Sequence, residues 1–371
     1  MNAPARKSID ESAGVVSREL EYASEGASEA QLRDRIRREL PHIFVSQPAR
    51  AWAMLPLMGV ALAATWAIIA LDLPWYALLA LALVAGNNYG AGMLLGHECL
   101  HGSVVRQRWL QDALATLGLG SLLMSPSLWR VWHNIVHHGK TNNPMLDPDH
   151  FGTLRRYKQM RSTRVVNWLA PGSGSPLSYF FMFYWLTFHT QIVLWISSRH
   201  LPQFQILNRR RAIIETLAFL AFWSGVAWLA GPWKGLFAVA LPIMIGNFVV
   251  MMYLSTNHFM RPLTITNDAL DNTMGVETFA LFDRLHFYFS HHVEHHMFPR
   301  VSSKFYPELR AWLKREVPDR YVCPSHFTAL SYLFRTPRVY LDSKTLVDPR
   351  DLTRRTDTSE LARLLSNKPA S

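Results

Sequence analysis

Apolar residues in this chain gather in unbroken runs instead of recurring at the period of a half-buried strand or helix. Four runs, at 52–71, 75–95, 212–230 and 235–254, reach the roughly 20 residues that crossing a bilayer takes. They pair up across two very short turns, Asp72-Leu73-Pro74 and Gly231-Pro232-Trp233, which predicts two transmembrane hairpins. Two more apolar runs, at 110–124 and 177–197, carry Gln111, Asp112, Thr187, His189 and Gln191, and these read as interfacial or partly buried helices. A different pattern appears at 28–40, where Leu32, Ile36 and Leu40 recur at helical spacing beside Arg33, Arg35, Arg37 and Arg38. That is a basic amphipathic helix, lying either on anionic lipid or docked on the body of the protein. A second amphipathic helix is expected at 302–316, with Phe305, Leu309, Trp312 and Leu313 on its apolar side. Residues 1–26 are small and polar and read as disordered, and from about Asp342 the chain turns polar again.

Charge then orients the runs. Of 38 lysines and arginines, all but Lys234 fall before the first span, between the second and third, or after the fourth. The positive-inside rule places those segments, both termini included, in the cytoplasm, with a bacterial inner membrane as the expected setting. With a polar first 40 residues and a first apolar run that is late and long, no cleavable signal peptide is expected. Only Cys99 and Cys323 are present, so neither a disulfide framework nor a thiolate metal cage is implied. Asn87 and Asn88, costly in lipid, should face the bundle, and Gly86, Gly90, Gly92 and Gly96 permit close helix approach. The expected fold is therefore all-α and integral to the membrane. Four transmembrane helices in two hairpins, with interfacial helices, carry a cytoplasmic helical cap. The divisions are a polar N-terminal segment at 1–45, the membrane domain at 46–340, and a polar tail at 341–371.

The candidate chemistry lies in the histidines. Nine of the 16 fall in three short boxes: His97 and His101; His133, His137 and His138; and His291, His292, His295 and His296. All three boxes lie in segments assigned to one side of the membrane. Helical rise carries His97 and His101 just past the end of the second span, and His258 follows the fourth span at matching depth. Adjacent imidazoles repel when protonated and gain little from burial unless something binds them. His42, His150, His189, His200, His286 and His326 stand alone and read as structural or surface residues. The letters HECLH match the zinc-peptidase pattern, with Glu98 in the place of the general base. That chemistry needs three or four protein ligands and leaves the second and third boxes unexplained. Eight or nine imidazoles suit two first-row metal ions with open positions, and imidazole is a good ligand for iron.

Taken together, HECLH, HNIVHH and HVEHH resemble the histidine boxes of the membrane fatty acid desaturase superfamily, which includes related hydroxylases and carotenoid ketolases. TNNPMLDPD after the second box and MFP after the third strengthen the likeness, which runs from about Trp52 to Val317. The resemblance implies that His97, His101, His133, His137, His138, His292, His295 and His296 bind two irons, with His258 as a further ligand. It also implies Asp147, Asp149 and Glu98 as partners of the metal-bound imidazoles, and Asn257 as the holder of a metal-bound water. His291 is an extra imidazole, so whether it or His292 ligates is open.

The implied reaction is O2-dependent introduction of a double bond into an acyl chain carried by a lipid or a thioester. Hydroxylase, acetylenase or ketolase outcomes use the same boxes. A zinc peptidase and a non-catalytic metal binder are more distant alternatives. The chain lacks a haem motif, a dinucleotide fingerprint and a cluster-binding cysteine set, so electrons should come from a separate ferredoxin or b-type cytochrome with its reductase. The basic face suits an acidic donor and anionic lipid, and no nucleic-acid partner is expected.

Overall fold

A computed structural model describes residues 28–366, so the expected disorder of 1–26 lies outside the described residues. Helix α1 (Glu29–Glu39) opens on a capping box in which Ser28 and Gln31 satisfy each other's backbone N–H. Its Leu32 and Ile36 are buried with Val293, Met297, Leu309 and Trp312, so the apolar stripe is docked on the protein body.

Helices α2 (Met54–Ala70) and α3 (Trp75–Leu100) form the first hairpin. At 26 residues, α3 is about 39 Å long, more than the roughly 30 Å of a hydrocarbon core. His97 and Glu98 lie within this helix, not after it. Short α4 (Arg108–Gly120) packs on α3 where both backbones are bare: a Cβ on Gly118 would sit 2.2 Å from the Gly92 carbonyl oxygen.

The segment Pro176–His200 is partly buried, in line with its polar residues. It is continuously helical, and by length and composition it is long and apolar enough to cross a membrane. Its polar residues face the protein. Thr187 bonds to Asn247 and to the Leu122 carbonyl, and Gln191 donates to the Leu123 carbonyl. Phe180, Phe188 and Ile196 are left exposed. Within this segment, α5 (Phe181–Ile192) is the part that carries His189.

The second hairpin comprises α6 (Arg209–Gly235) and α7 (Leu241–His258), a 50-residue helical run broken at Gly231. There φ is 70°, a left-handed conformation that glycine adopts without a Cβ penalty, and Pro232 restarts the helix. Lys234 donates to the carbonyls of Ile69 and Leu71 and to Asp72, joining the turns of the two hairpins. Gly86 and Gly90 of α3 face Ile245 and Val249 of α7 at distances no larger residue would tolerate.

The expected polar tail is corrected. Strands β1 (Val339–Tyr340), β2 (Thr345–Asp348) and β3 (Asp351–Asp357) form an antiparallel sheet, and α8 (Thr358–Leu365) follows. Leu346, Val347, Leu361 and Leu365 are buried, and β3 is mostly exposed, which accounts for the polar composition. Fully buried Arg338 clamps this unit by donating to the carbonyls of Pro171, Phe259 and Leu333.

Candidate metal centre

Four pieces of chain bring imidazoles to the polar end of the bundle. Helix α3 supplies His97 and, at its cap, His101. The second box lies on a short helix, Pro126–Val131, that widens into a π-helical turn over Trp132–His137. Ser125 caps its start, and Glu215 from α6 accepts from Ser125 Oγ, Ser127 N and Ser127 Oγ, a carboxylate at the positive helix end. The wider turn changes the register so that His133, His137 and His138 all turn inward. His258 ends α7. The third box forms the short helix His292–Met297, reached through Phe287 and Tyr288, both in the left-handed region (φ 53° and 55°). Left-handed backbone at two large residues is costly and persists only where its surroundings enforce it.

The nine predicted imidazoles come together as two adjoining clusters. His97, His101, His133, His138 and His295 form one, and His137, His258 and His296 form the other. His292 joins the second, with Nε2 2.7 Å from His258 Nε2. In the first cluster His97 Nε2 lies 2.8 Å from His133 Nε2 and 3.1 Å from His101 Nε2, and His138 Nε2 is 3.2 Å from His133 Nε2. The clusters touch where His138 stacks on His296 at 4.2 Å. His291 stands outside both. Its Nδ1 bonds to Ser290 Oγ and its ring faces Tyr288, so the rotation of one residue separates it from His292.

These residues fit a pair of metal ions. Nitrogens about 3 Å apart are spaced as neighbouring ligands around an ion bound at about 2.1 Å. His295 Nε2 and His296 Nε2 are buried with no hydrogen-bond partner among the described residues, which a bound cation would supply. Burial pushes the pKa of His133, His138, His292, His295 and His296 well below the usual range and keeps them neutral, the form that ligates.

The surroundings orient several of these rings. His295 Nδ1 meets Tyr306 Oη at 3.2 Å, and His296 Nδ1 meets Thr141 Oγ1 at 3.3 Å. His137 Nδ1 faces Asp149 at 3.0 Å and Asp147 at 3.3 Å. Burial alone would drive its proton off, but the two carboxylates, Asp147 first, outweigh it and hold the pKa up to about 10. Burial likewise opposes ionisation of Asp149, and hydrogen bonds from His137 and His189 overcome that penalty.

Glu98 is placed differently. Its oxygens accept from Arg50 Nη2, Ser302 Oγ, Ser303 N and Ser303 Oγ, tying α3 to the chain after the third box. Asn257 is fully buried, and neither side-chain atom has a partner among the described residues. Several contributors escaped sequence reasoning: Tyr306, Thr141, His189, Trp132 and the buried pair Arg310–Glu294, which braces the third box from behind. The available signs were the inward-facing polar residues of α5 for His189 and the TNNPMLDPD stretch for Thr141.

A narrow apolar cleft of ≈ 50 Å³ opens beside the clusters. Trp129, Trp132, Trp185, Leu186, Met251 and Phe259 line it, together with His133, His137, His258 and Asp149. An apolar lining with a few polar groups is typical of small-molecule sites.

A sequence model of the fatty acid desaturase family matches residues 73–328, a stretch that holds every imidazole of both clusters. The chain belongs to that family. It is 30% identical over 113 residues to an sn-1 oleoyl-lipid 12-desaturase of Picosynechococcus sp., covering 30% of this chain and 32% of the relative. An acyl-lipid (7-3)-desaturase of Rebecca salina matches at 25% identity over 64% of this chain and 58% of its own. An sn-1 acyl-lipid omega-3 desaturase (ferredoxin) of Nostoc sp. is 33% identical over 79 residues, 21% of this chain and 22% of the relative. The match to the first of these spans about a third of that relative's length.

Proposed function

We propose that this chain is an O2-dependent membrane desaturase that places a double bond in the acyl chain of a lipid or thioester at a di-iron centre. The observation that carries the reading is the pair of imidazole clusters beside an apolar cleft. His97, His101, His133, His138 and His295 would hold one iron, and His137, His258, His292 and His296 the other. Asn257 supplies an unpaired buried amide that a metal-bound water would satisfy.

Bound there, the two irons would supply O2 activation and removal of two hydrogens from neighbouring methylenes. The protein's part is placement. Trp129, Trp132, Trp185 and Phe259 offer flat apolar surface that excludes water and limits where an alkyl chain can lie. The acyl-lipid relatives favour a glycerolipid as the carrier. Electrons would come from a separate donor, and the Nostoc relative's name favours a ferredoxin over a b-type cytochrome. An acidic donor approaching a chain of net charge +11 predicts turnover that falls as ionic strength rises. With Lys234 alone among its basic residues at the outer turns, the proposed orientation has both termini in the cytoplasm, in a bacterial inner membrane.

The peptidase alternative needs Glu98 beside a metal-bound water, whereas its carboxylate is engaged by Arg50, Ser302 and Ser303. Mass spectrometry of acyl lipids from a host expressing the chain, beside a His295→Ala control, tests the proposal. A histidine-dependent product two hydrogens lighter is expected. A product heavier by one oxygen would make the enzyme a hydroxylase, and an unchanged lipid profile with a competent donor present would count against both.

A further inference from the structure

His189 was read from the sequence as an ordinary structural or surface residue. In the structure it sits inside an otherwise aromatic and aliphatic helix face, stacked on Trp185 at 5.4 Å and edge-on to Trp132 at 5.4 Å. Its Nε2–H donates to Asp149 Oδ1 at 3.0 Å, and Trp132 Nε1–H donates to the same oxygen at 2.9 Å. The other oxygen, Oδ2, faces His137 Nδ1 at 3.0 Å, and the His137 ring lies against those of His258 and His296. Asp149 is thus gripped from one side by α5 and on the other holds an imidazole of the second cluster.

We propose that His189, although it belongs to no histidine box, is a positioning residue for the second metal. Through Asp149 it fixes which nitrogen of His137 carries the proton and where the ring points. The physical argument has two parts. A carboxylate with one oxygen held by two N–H donors loses the freedom to rotate about its χ2 bond, so Oδ2 stays aimed at His137. An imidazole whose Nδ1–H is held by a fixed carboxylate presents Nε2, with raised basicity, to a metal. The first cluster has no equivalent carboxylate among the described residues. Because His189 also borders the cleft, a chain lying there would touch the helix that sets the second cluster. The inference rests on the metal-centre reading.

The test is anaerobic titration of the full-length, detergent-solubilised chain with ferrous ion, followed by Mössbauer spectroscopy, for wild type, His189→Ala and His189→Gln. Wild type should take up two ferrous ions per chain. His189→Ala should bind one as before and the second about 10–100-fold more weakly, with one Mössbauer component altered. His189→Gln keeps an N–H donor for Asp149 and should recover most of the loss. Two wild-type affinities in His189→Ala would overturn the proposal. So would equal weakening of both ions, or a lowered metal-free melting temperature in both variants, since each would mean that His189 acts through the fold. Wild-type protein that binds no ferrous ion would overturn the metal-centre reading itself.

Discussion

The two clusters use the same side chain and differ in what stands behind it. The first is held mainly by packing: His133 stacks on Trp129 at 4.6 Å, and His97 meets Phe289 edge-on at 5.4 Å. Its backing hydrogen bond comes from a neutral hydroxyl, Tyr306 to His295. The second is held by charge, with Asp147 and Asp149 facing His137, and by Thr141 behind His296. Geometry should therefore govern the first cluster and electrostatics the second.

Substitutions can break that contrast or sharpen it. The largest effect is expected from His295→Ala, which should abolish the acyl product and remove metal from the first cluster, read by lipid mass spectrometry and metal analysis. Asp149→Asn comes next. It leaves the shape intact but removes one of the two charges behind His137, and should weaken metal binding at the second cluster by about 10–100-fold while sparing the first. Equal losses at both clusters would erase the distinction. A smaller effect is expected from Gly118→Ala, which forces α4 away from the α3 backbone. It should cost about 1–3 kcal/mol in a thermal melt and perturb the first cluster more than the second. Smallest is Thr141→Val, which removes one hydrogen bond to His296 and should lower stability by about 0.5–1.5 kcal/mol, with both metals retained.

How much was legible from sequence follows the range of the interactions. The boxes could be read because adjacent imidazoles are a local pattern, and the hairpins because bilayer thickness sets a run length. The partition of the imidazoles between clusters could not. The second box sends His133 and His138 to one cluster and His137 to the other, a consequence of the π-helical turn. The third box divides in the same way, with His295 apart from His292 and His296. Glu98 lies between His97 and His101 in sequence yet faces Ser302 and Ser303, which are some 200 residues away. The C-terminal sheet was missed because so few of its residues need burial, and the partners of the polar residues in 177–197, Asn247 and the Leu122 and Leu123 carbonyls, lie 60 or more residues away along the chain.

By itself, then, the sequence determined that this protein has bilayer-length helices, that its imidazoles collect at one end of them, and that its family is recognisable from three boxes. Those properties depend on composition and short-range spacing. Tertiary structure alone decided which imidazoles share a cluster, which cluster has carboxylates behind it, and that His189 reaches Asp149 from forty residues away. A hydrogen bond acts over about 3 Å of space whatever the separation along the chain, so those choices exist only once the helices have packed.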